Sequence, residues 1–530
     1  MDAHRMKFRL ILGGWLAACA MTLGLGGCAA TGGFPDPYPP EARREYRGMW
    51  VATVANIDWP SKPGLDATAM RAEMARMLDA AAKLHLNAIF LQVRPSCDAI
   101  YPSELEPWTE YLTGKQGDSP GFDPLAEWIE GAHARAIELH AWFNPFRARQ
   151  ASAKSTVAPT HVASTHPGWV KIAGKELWLD PGEPGAREHS LRVILDVVRR
   201  YDVDGVHFDD YFYPYPIKDA PFADADSYRK HSEAAGTPSL ADWRRGNINE
   251  FVRRAYEDVH AIKPWVRVGV SPFGIWRPNY PAGVKGFDAY EGLYADSLRW
   301  LAAGWVDYLA PQLYWKIDSP QPYAKLLDWW VACSMRTQRR PILVGNFTSK
   351  LGDKPEDSKV WQTPEILNQI THSRDRARLG AAGNIHFSAV ALTQNRAGIA
   401  DALAQGPYAE PAIPPEMRWL AKGSAPGAAR VDFPAHSAEN VVVRFVGRAE
   451  QGGMRRWVVW ARHGGAWTMS VAPGGSDSSG HTTLVRQNAA GELDRVAVGE
   501  LDAYGRIGPL TIVRIAPAVP EPVQAAGVNP

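Results

Sequence analysis

Two adjacent carboxylates, Asp209 and Asp210, stand where an apolar run from Val203 to Phe208 gives way to the stretch Tyr211-Phe212-Tyr213-Pro214-Tyr215-Pro216. Val203, Val206 and Phe208 read as a buried strand ending at the acidic pair. Neighbouring strand residues point to opposite faces, so both aspartates reach one ligand only if the strand ends or twists there. Two carboxyl groups are the minimum equipment for breaking a glycosidic bond. One protonates the leaving oxygen, and the other stabilises or attacks the oxocarbenium-like carbon. Adjacent like charges also split their pKa values, which keeps one carboxyl protonated near neutrality. The plain alternative is a solvated loop or a helix cap, and Pro214 and Pro216 oppose a helix at that point.

Other polar residues fall at the ends of apolar runs. Arg94 and Asp98 follow Ala88–Val93, Asn144 follows Leu139–Phe143, and His207 lies within the acidic strand. Gln312, Tyr314 and Trp315 follow Val306–Ala310, and Asn346 follows Ile342–Val344. In a parallel α/β protein the C-terminal strand ends share one face, where ligands bind. These residues, with Tyr211, are therefore expected to bind substrate around Asp209 and Asp210. Tyr211, Tyr213, Tyr314 and Trp315 offer flat faces for sugar rings. Neither a metal nor a cofactor is expected.

Eight such runs can be counted, beginning with Tyr46–Ala52 and ending with Asn384–Ser388, and the first seven are each followed by residues at helical spacing. Met70, Met74, Met77, Leu78 and Ala81 are the first helical face. Alternation of this kind makes the chain α/β, with a (β/α)8 TIM barrel over 45–406. An open doubly wound sheet is the rival, but no Gly-rich phosphate loop follows any strand. Residues 407–419, with Pro407, Pro411, Pro414 and Pro415, read as a linker. Residues 420–516 read as a small β-sandwich of short alternating runs such as Val441–Val446 and Arg456–Ala461. The segment from Val498 to Pro509 resembles the last hairpin of fibronectin type III modules. A disordered tail is expected over 517–530. The sandwich is expected to fold as a separate module, so a fragment of residues 43–410 should keep any hydrolytic activity.

Charge is balanced, 58 Lys and Arg against 57 Asp and Glu, which leaves no footprint for nucleic acid. The 21 Trp and 18 Tyr suit sugar faces but equally fill cores. Arg5, Lys7 and Arg9 precede an apolar run from Leu10 to Leu25, the pattern of a signal peptide over 1–27. Leu25-Gly26-Gly27-Cys28 resembles a bacterial lipobox, so Cys28 is expected to carry lipid and residues 28–44 to form a flexible tether. Ala29 follows where an inner-membrane retention signal would usually place Asp. The expected location is the outer membrane facing the periplasm, with the membrane engaged through the lipid only. Cys97 and Cys333 show no metal-ligand spacing and could be free or paired.

Several separated motifs carry a family resemblance: Tyr46-Arg47-Gly48-Met49-Trp50, Leu91-Gln92-Val93-Arg94-Pro95, Trp142-Phe143-Asn144-Pro145, Gly205 to Tyr211, and Ala310-Pro311-Gln312-Leu313-Tyr314-Trp315. Over roughly residues 43–400 the chain resembles the glycosyl-hydrolase-like family 10 of bacterial lipoproteins. That resemblance implies a (β/α)8 barrel acting on cell-wall glycan, with no established metal requirement and commonly a C-terminal β-sandwich. The acidic pair also resembles that of O-GlcNAc hydrolases. By that likeness Asp209 would orient the substrate's 2-acetamido group for attack on the anomeric carbon, and Asp210 would be the general acid. Peptidoglycan sugars carry such a group. A non-catalytic glycan-binding lipoprotein is the alternative; it would need the aromatics but not the acids. Phe208-Asp209-Asp210 is also the core of a metal-dependent polysaccharide deacetylase motif. That chemistry needs two histidines a helical turn apart, whereas His161 and His166 are separated by a wider gap.

Overall fold

The computed structural model describes residues 38–516 apart from 234–235, 353–358, 448–455 and 476–477. The signal segment, Cys28 and the expected C-terminal tail lie outside the described residues.

Eight parallel strands close into a barrel. They are β1 (Tyr46–Val51), β2 (Ala88–Arg94), β3 (Glu138–Phe143), β4 (Gly205–Phe208), β5 (Arg267–Val270), β6 (Tyr308–Leu309), β7 (Ile342–Asn346) and β8 (Ala381–His386). Each pairs with its neighbours in sequence, and β8 closes on β1, for example Met49 against His386. All eight strands expected from the sequence are present. Strands buried on both faces need apolar side chains on both, and this gave their near-continuous runs. Outward residues such as Val206 and Phe208 join the large core beneath the helices. Inward residues such as Trp50, Phe90, Trp142 and Tyr308 form a separate cluster inside the barrel.

The helices begin where local chemistry starts them. Asp66 caps Ala67–Lys83 by accepting from the Ala69 amide at 2.7 Å, and that helix buries Met70, Met74, Met77, Leu78 and Ala81. Asp123 caps Pro124–His133, whose first residue is a proline with no amide hydrogen to lose. Between β3 and β4 the chain makes an excursion that periodicity did not reveal. Its three short antiparallel strands are Arg147–Arg149, Val170–Ala173 and Glu176–Leu179.

The C-terminal region consists of two antiparallel sheets. The smaller comprises Arg430–His436, Asn440–Val446 and Ser479–Val485. The larger is built on Arg456–His463, between Ala466–Pro473 and Gly491–Leu501. Phe445, Trp457, Val459, Val496 and Val498 fill the space between the sheets. Strand alternation puts Val458 and Trp460 on the opposite face, packed with Ala42 and Ile413.

The linker and the end of the tether are therefore not loose. The Glu45 amide donates to Ile413 O and the Ile413 amide to Arg43 O, both at 2.9 Å. Residues near 43, at the end of the expected flexible tether, and near 413, in the expected linker, are pinned together between the barrel and the sandwich. Trp419 extends the contact, its indole donating to Asp307 Oδ1 at 2.6 Å.

Candidate active site

Strand β4 ends at Phe208, but its alternation continues through the acidic pair. Gly205, His207 and Asp209 share the inward phase, whereas Val206, Phe208 and Asp210 share the outward one. Asp209 accordingly lines a cavity of about 240 Å³ at the C-terminal mouth of the barrel, with His207, Tyr211, Gln312 and Tyr314. Asp210 is buried beside that cavity and is reached through Gln312 and Tyr215.

Each aspartate has its own set of donors. Asp209 Oδ2 accepts from the Trp142 indole at 3.1 Å and from Asn144 Nδ2 at 3.3 Å, both at the end of β3. Its Oδ1 is buried and takes no well-formed hydrogen bond from the described residues, the Tyr211 amide being at best a weak partner. Asp210 accepts from the Tyr215 hydroxyl at 2.5 Å and from Gln312 Nε2 at 3.2 Å. Burial lifts the Asp209 carboxyl to about 7; Arg147 opposes the shift and the Asp210 charge adds to it. Burial also raises Asp210, against the donors Tyr215 and Gln312. Desolvation, more than mutual repulsion, thus sets the acidity of the pair.

Asn144 organises the next turn by accepting from the Arg147 amide at 2.9 Å. The Arg147 guanidinium then lies over the Tyr211 ring, 4.2 Å from its centre. Trp178, from the antiparallel excursion, donates to Phe212 O at 3.0 Å and pins the aromatic loop behind the acidic pair.

Five expected binding residues are not in the cavity wall; Asn144, one of them, acts on it through Asp209. Arg94 is fully buried in an ion pair with Glu106 at 2.5 Å, and it also donates to the carbonyls of Asn144 and Pro145. A guanidinium in that position braces two loops and is out of a ligand's reach. Asp98 accepts from Gln116 Nε2 at 3.0 Å and the Ser96 amide at 3.1 Å, and burial lifts it to about 7. Asn346 bonds Gln369 and Asn384, each at 2.8 Å, on the helix side of the barrel. Trp315 packs edge-on against Phe273, 5.6 Å away between ring centres.

Other residues take those places. Trp50, Gln92, Trp142, Arg147 and Phe387 line the cavity. Trp50 and Trp142 are the penultimate residues of β1 and β3, a signal that inward alternation could have supplied. Arg147 opens the first strand of the antiparallel excursion and Tyr215 lies in a loop, and no local pattern marked either as part of the site. His161 uses Nε2 on Ser96 O at 3.1 Å and Nδ1 on the Ala163 amide at 3.1 Å, so its ring serves as a helix cap. Cys97 and Cys333 are both free thiols.

Residues 45–363 match the profile described as glycosyl hydrolase-like 10. The chain belongs to that family. It is 40% identical over 393 residues to glycosyl hydrolase YngK of Bacillus subtilis (strain 168), covering 72% of this chain and 75% of the relative. To glycosyl hydrolase DigH of Escherichia coli (strain K12) it is 35% identical over 364 residues, 64% of this chain and 82% of the relative. The glycoside hydrolase domain of PgaB (BpsB) from Bordetella bronchiseptica overlays with a TM-score of 0.47 at 14% identity, covering 68% of this chain and 98% of that one. In this member of the glycosyl hydrolase-like 10 family, the barrel, the acidic pair and the aromatic cavity all lie in the matched span except Phe387 and β8.

Proposed function

We propose that this chain hydrolyses glycosidic bonds in N-acetylated bacterial cell-wall glycan, with peptidoglycan strands as substrate. The observation that carries this reading is Asp209 Oδ1, a buried carboxyl oxygen without a strong partner in an aromatic cavity beside a second carboxyl. An acetamido N–H is the donor that such an oxygen lacks. In this mechanism Asp209 takes that N–H and aims the acetamido oxygen at the anomeric carbon, while Asp210 protonates the leaving oxygen. Trp50, Trp142 and Tyr314 supply faces for the ring. A second depression of about 270 Å³ is lined by Tyr213, Tyr215 and Tyr294, and it offers a polymer further contact next to Asp210's partner Tyr215.

One observation favours exchanging the two roles. Asp209, at about 7, holds a proton more readily at neutral pH than an ordinary aspartate, and its bare Oδ1 could carry that proton toward a leaving group. Either assignment uses the same two residues.

Incubating the protein with purified glycan strands and weighing the products by mass spectrometry tests the reading. Fragments differing by whole sugar units are expected. Strands that bind but are never shortened would instead establish a glycan-binding lipoprotein, and loss of acetyl groups alone would establish a deacetylase.

The proposed location is the outer membrane, anchored through lipid on Cys28 and facing the periplasm. Cys28→Ser is expected to leave the precursor uncleaved or to release the protein from membranes. A processed Cys28→Ser protein that still fractionates with membranes would refute the anchor.

A further inference from the structure

A line of hydrogen bonds runs down the barrel axis from the cavity to Glu138, which an ion pair joins to the C-terminal sandwich. The Trp50 indole donates to His207 Nε2 at 3.1 Å, and His207 Nδ1 meets the Tyr308 hydroxyl at 3.0 Å. That hydroxyl also meets His140 Nδ1 at 3.0 Å, and His140 Nε2 meets Glu138 Oε2 at 3.3 Å. Glu138 Oε2 further accepts from Tyr46 and Arg267, at 2.9 and 2.7 Å. On the far side, Glu138 Oε1 faces Arg456 Nη2 at 2.9 Å, an ion pair too oblique to be a good hydrogen bond. Arg456 is the first residue of a sandwich strand, on the same face as Val458 and Trp460.

Donor chemistry gives this line one direction. An indole N–H only donates, so His207 Nε2 must accept and its proton sits on Nδ1. His207 then donates to Tyr308, Tyr308 donates to His140 Nδ1, and His140 donates from Nε2 to the Glu138 carboxylate. Burial pushes His207 well below the usual histidine range, so it remains neutral. Burial alone would raise Glu138, but Arg267 and Arg456 outweigh it and hold the carboxyl well below the glutamate range. The space for the line is cleared by two glycines. A Cβ at Gly205 would come within 2.3 Å of the His140 ring, and one at Gly269 within 2.0 Å of the Tyr308 ring.

We propose that Arg456 of the β-sandwich is a positioning residue for the glycan cavity, acting through Glu138, His140, Tyr308 and His207 to hold the Trp50 wall. The inference rests on the cavity being the glycan site. It also makes the sandwich part of the hydrolase, contrary to the expectation that residues 43–410 suffice.

The test uses the full chain with ¹⁵N-labelled histidine, and His207 is assigned by comparison with a His207→Gln sample. His207 is expected as the Nδ1–H tautomer and His140 as Nε2–H. In Arg456→Met the His207 signals should move or split, while Arg456→Lys should preserve them in part. In steady-state assays on glycan strands, Arg456→Met and Tyr308→Phe should each raise KM about tenfold with little change in kcat. Because both break one line, the double variant should be no worse than the poorer single one. An Nε2–H tautomer at His207, unchanged His207 signals in folded Arg456→Met, or KM effects that multiply in the double variant would each overturn the proposal. If Arg456→Met does not fold, Arg456→Lys and Tyr308→Phe carry the same comparison. The tautomer measurement stands even if no glycan is cleaved, so failure of the proposed activity is read separately.

Discussion

Glu138, the first residue of β3, and Arg456, the first residue of a sandwich strand, face each other at 2.9 Å with both side chains buried. Arg267 shares the same carboxylate from the other side. The underside of the barrel is thus closed by charge as well as by apolar packing. An ion pair so placed is costly to break, because the partner left behind stays buried.

Glu138→Gln should therefore lower stability at neutral pH by about 3–5 kcal/mol, read from urea denaturation. The pH dependence has a definite sign. The folded-state pKa lies well below the ordinary glutamate value of 4.5, so the contribution is complete above 4.5 and is lost as pH falls below it. The gap between wild type and variant should narrow on acidification. A gap that stays constant from neutral pH down to about pH 3 would contradict the pairing.

The two aspartates can be separated by leaving-group demand. If Asp210 is the general acid, Asp210→Asn should lose about 10²–10⁴ in rate on glycan strands, with much less effect on aryl glycosides, if these are accepted. Asp209→Asn should impair both kinds, because the attack itself is weakened. Rescue of aryl glycosides in Asp209→Asn alone would exchange the roles. Full activity of either variant on glycan strands would remove that residue from the mechanism.

The pH profile gives an independent reading of Asp209, which burial lifts to about 7 against the pull of Arg147. If its ionised form holds the acetamido group, kcat/KM should fall as pH drops through about 7. Arg147→Met removes a cation that favours that form, so the acid limb should move to higher pH. A profile that instead falls as pH rises through 7 would make Asp209 the acid.

Arg94 is placed to hold loops together. Arg94→Met should cost about 3–5 kcal/mol of stability by stranding Glu106 in the interior. Activity per folded molecule should stay within about threefold of wild type. A large rise in KM with unchanged stability would return Arg94 to the binding site.

The sequence alone determined the eight barrel strands, the sandwich strands around Val441 and Arg456, and the strand-end position of Asp209 and Asp210. These features are local. A strand buried on both faces must be apolar over consecutive residues, and the acidic pair interrupts that pattern visibly. Alternation also carried the information that Asp209 continues the inward phase of His207, and only knowledge of where the axis lies makes it usable. The tertiary structure decided the rest. Arg94 and Asn346 stand at strand ends like Asn144, yet the first is taken by Glu106 and the second by Gln369 and Asn384. A side chain's role depends on the partner that reaches it first, and spacing along one strand does not name that partner. Arg456 opens a strand that reads as ordinary sandwich, and nothing near it in the chain announces Glu138. Their meeting follows from how the larger sheet's outer face packs beneath the barrel, a long-range consequence of burial that no short stretch of sequence encodes.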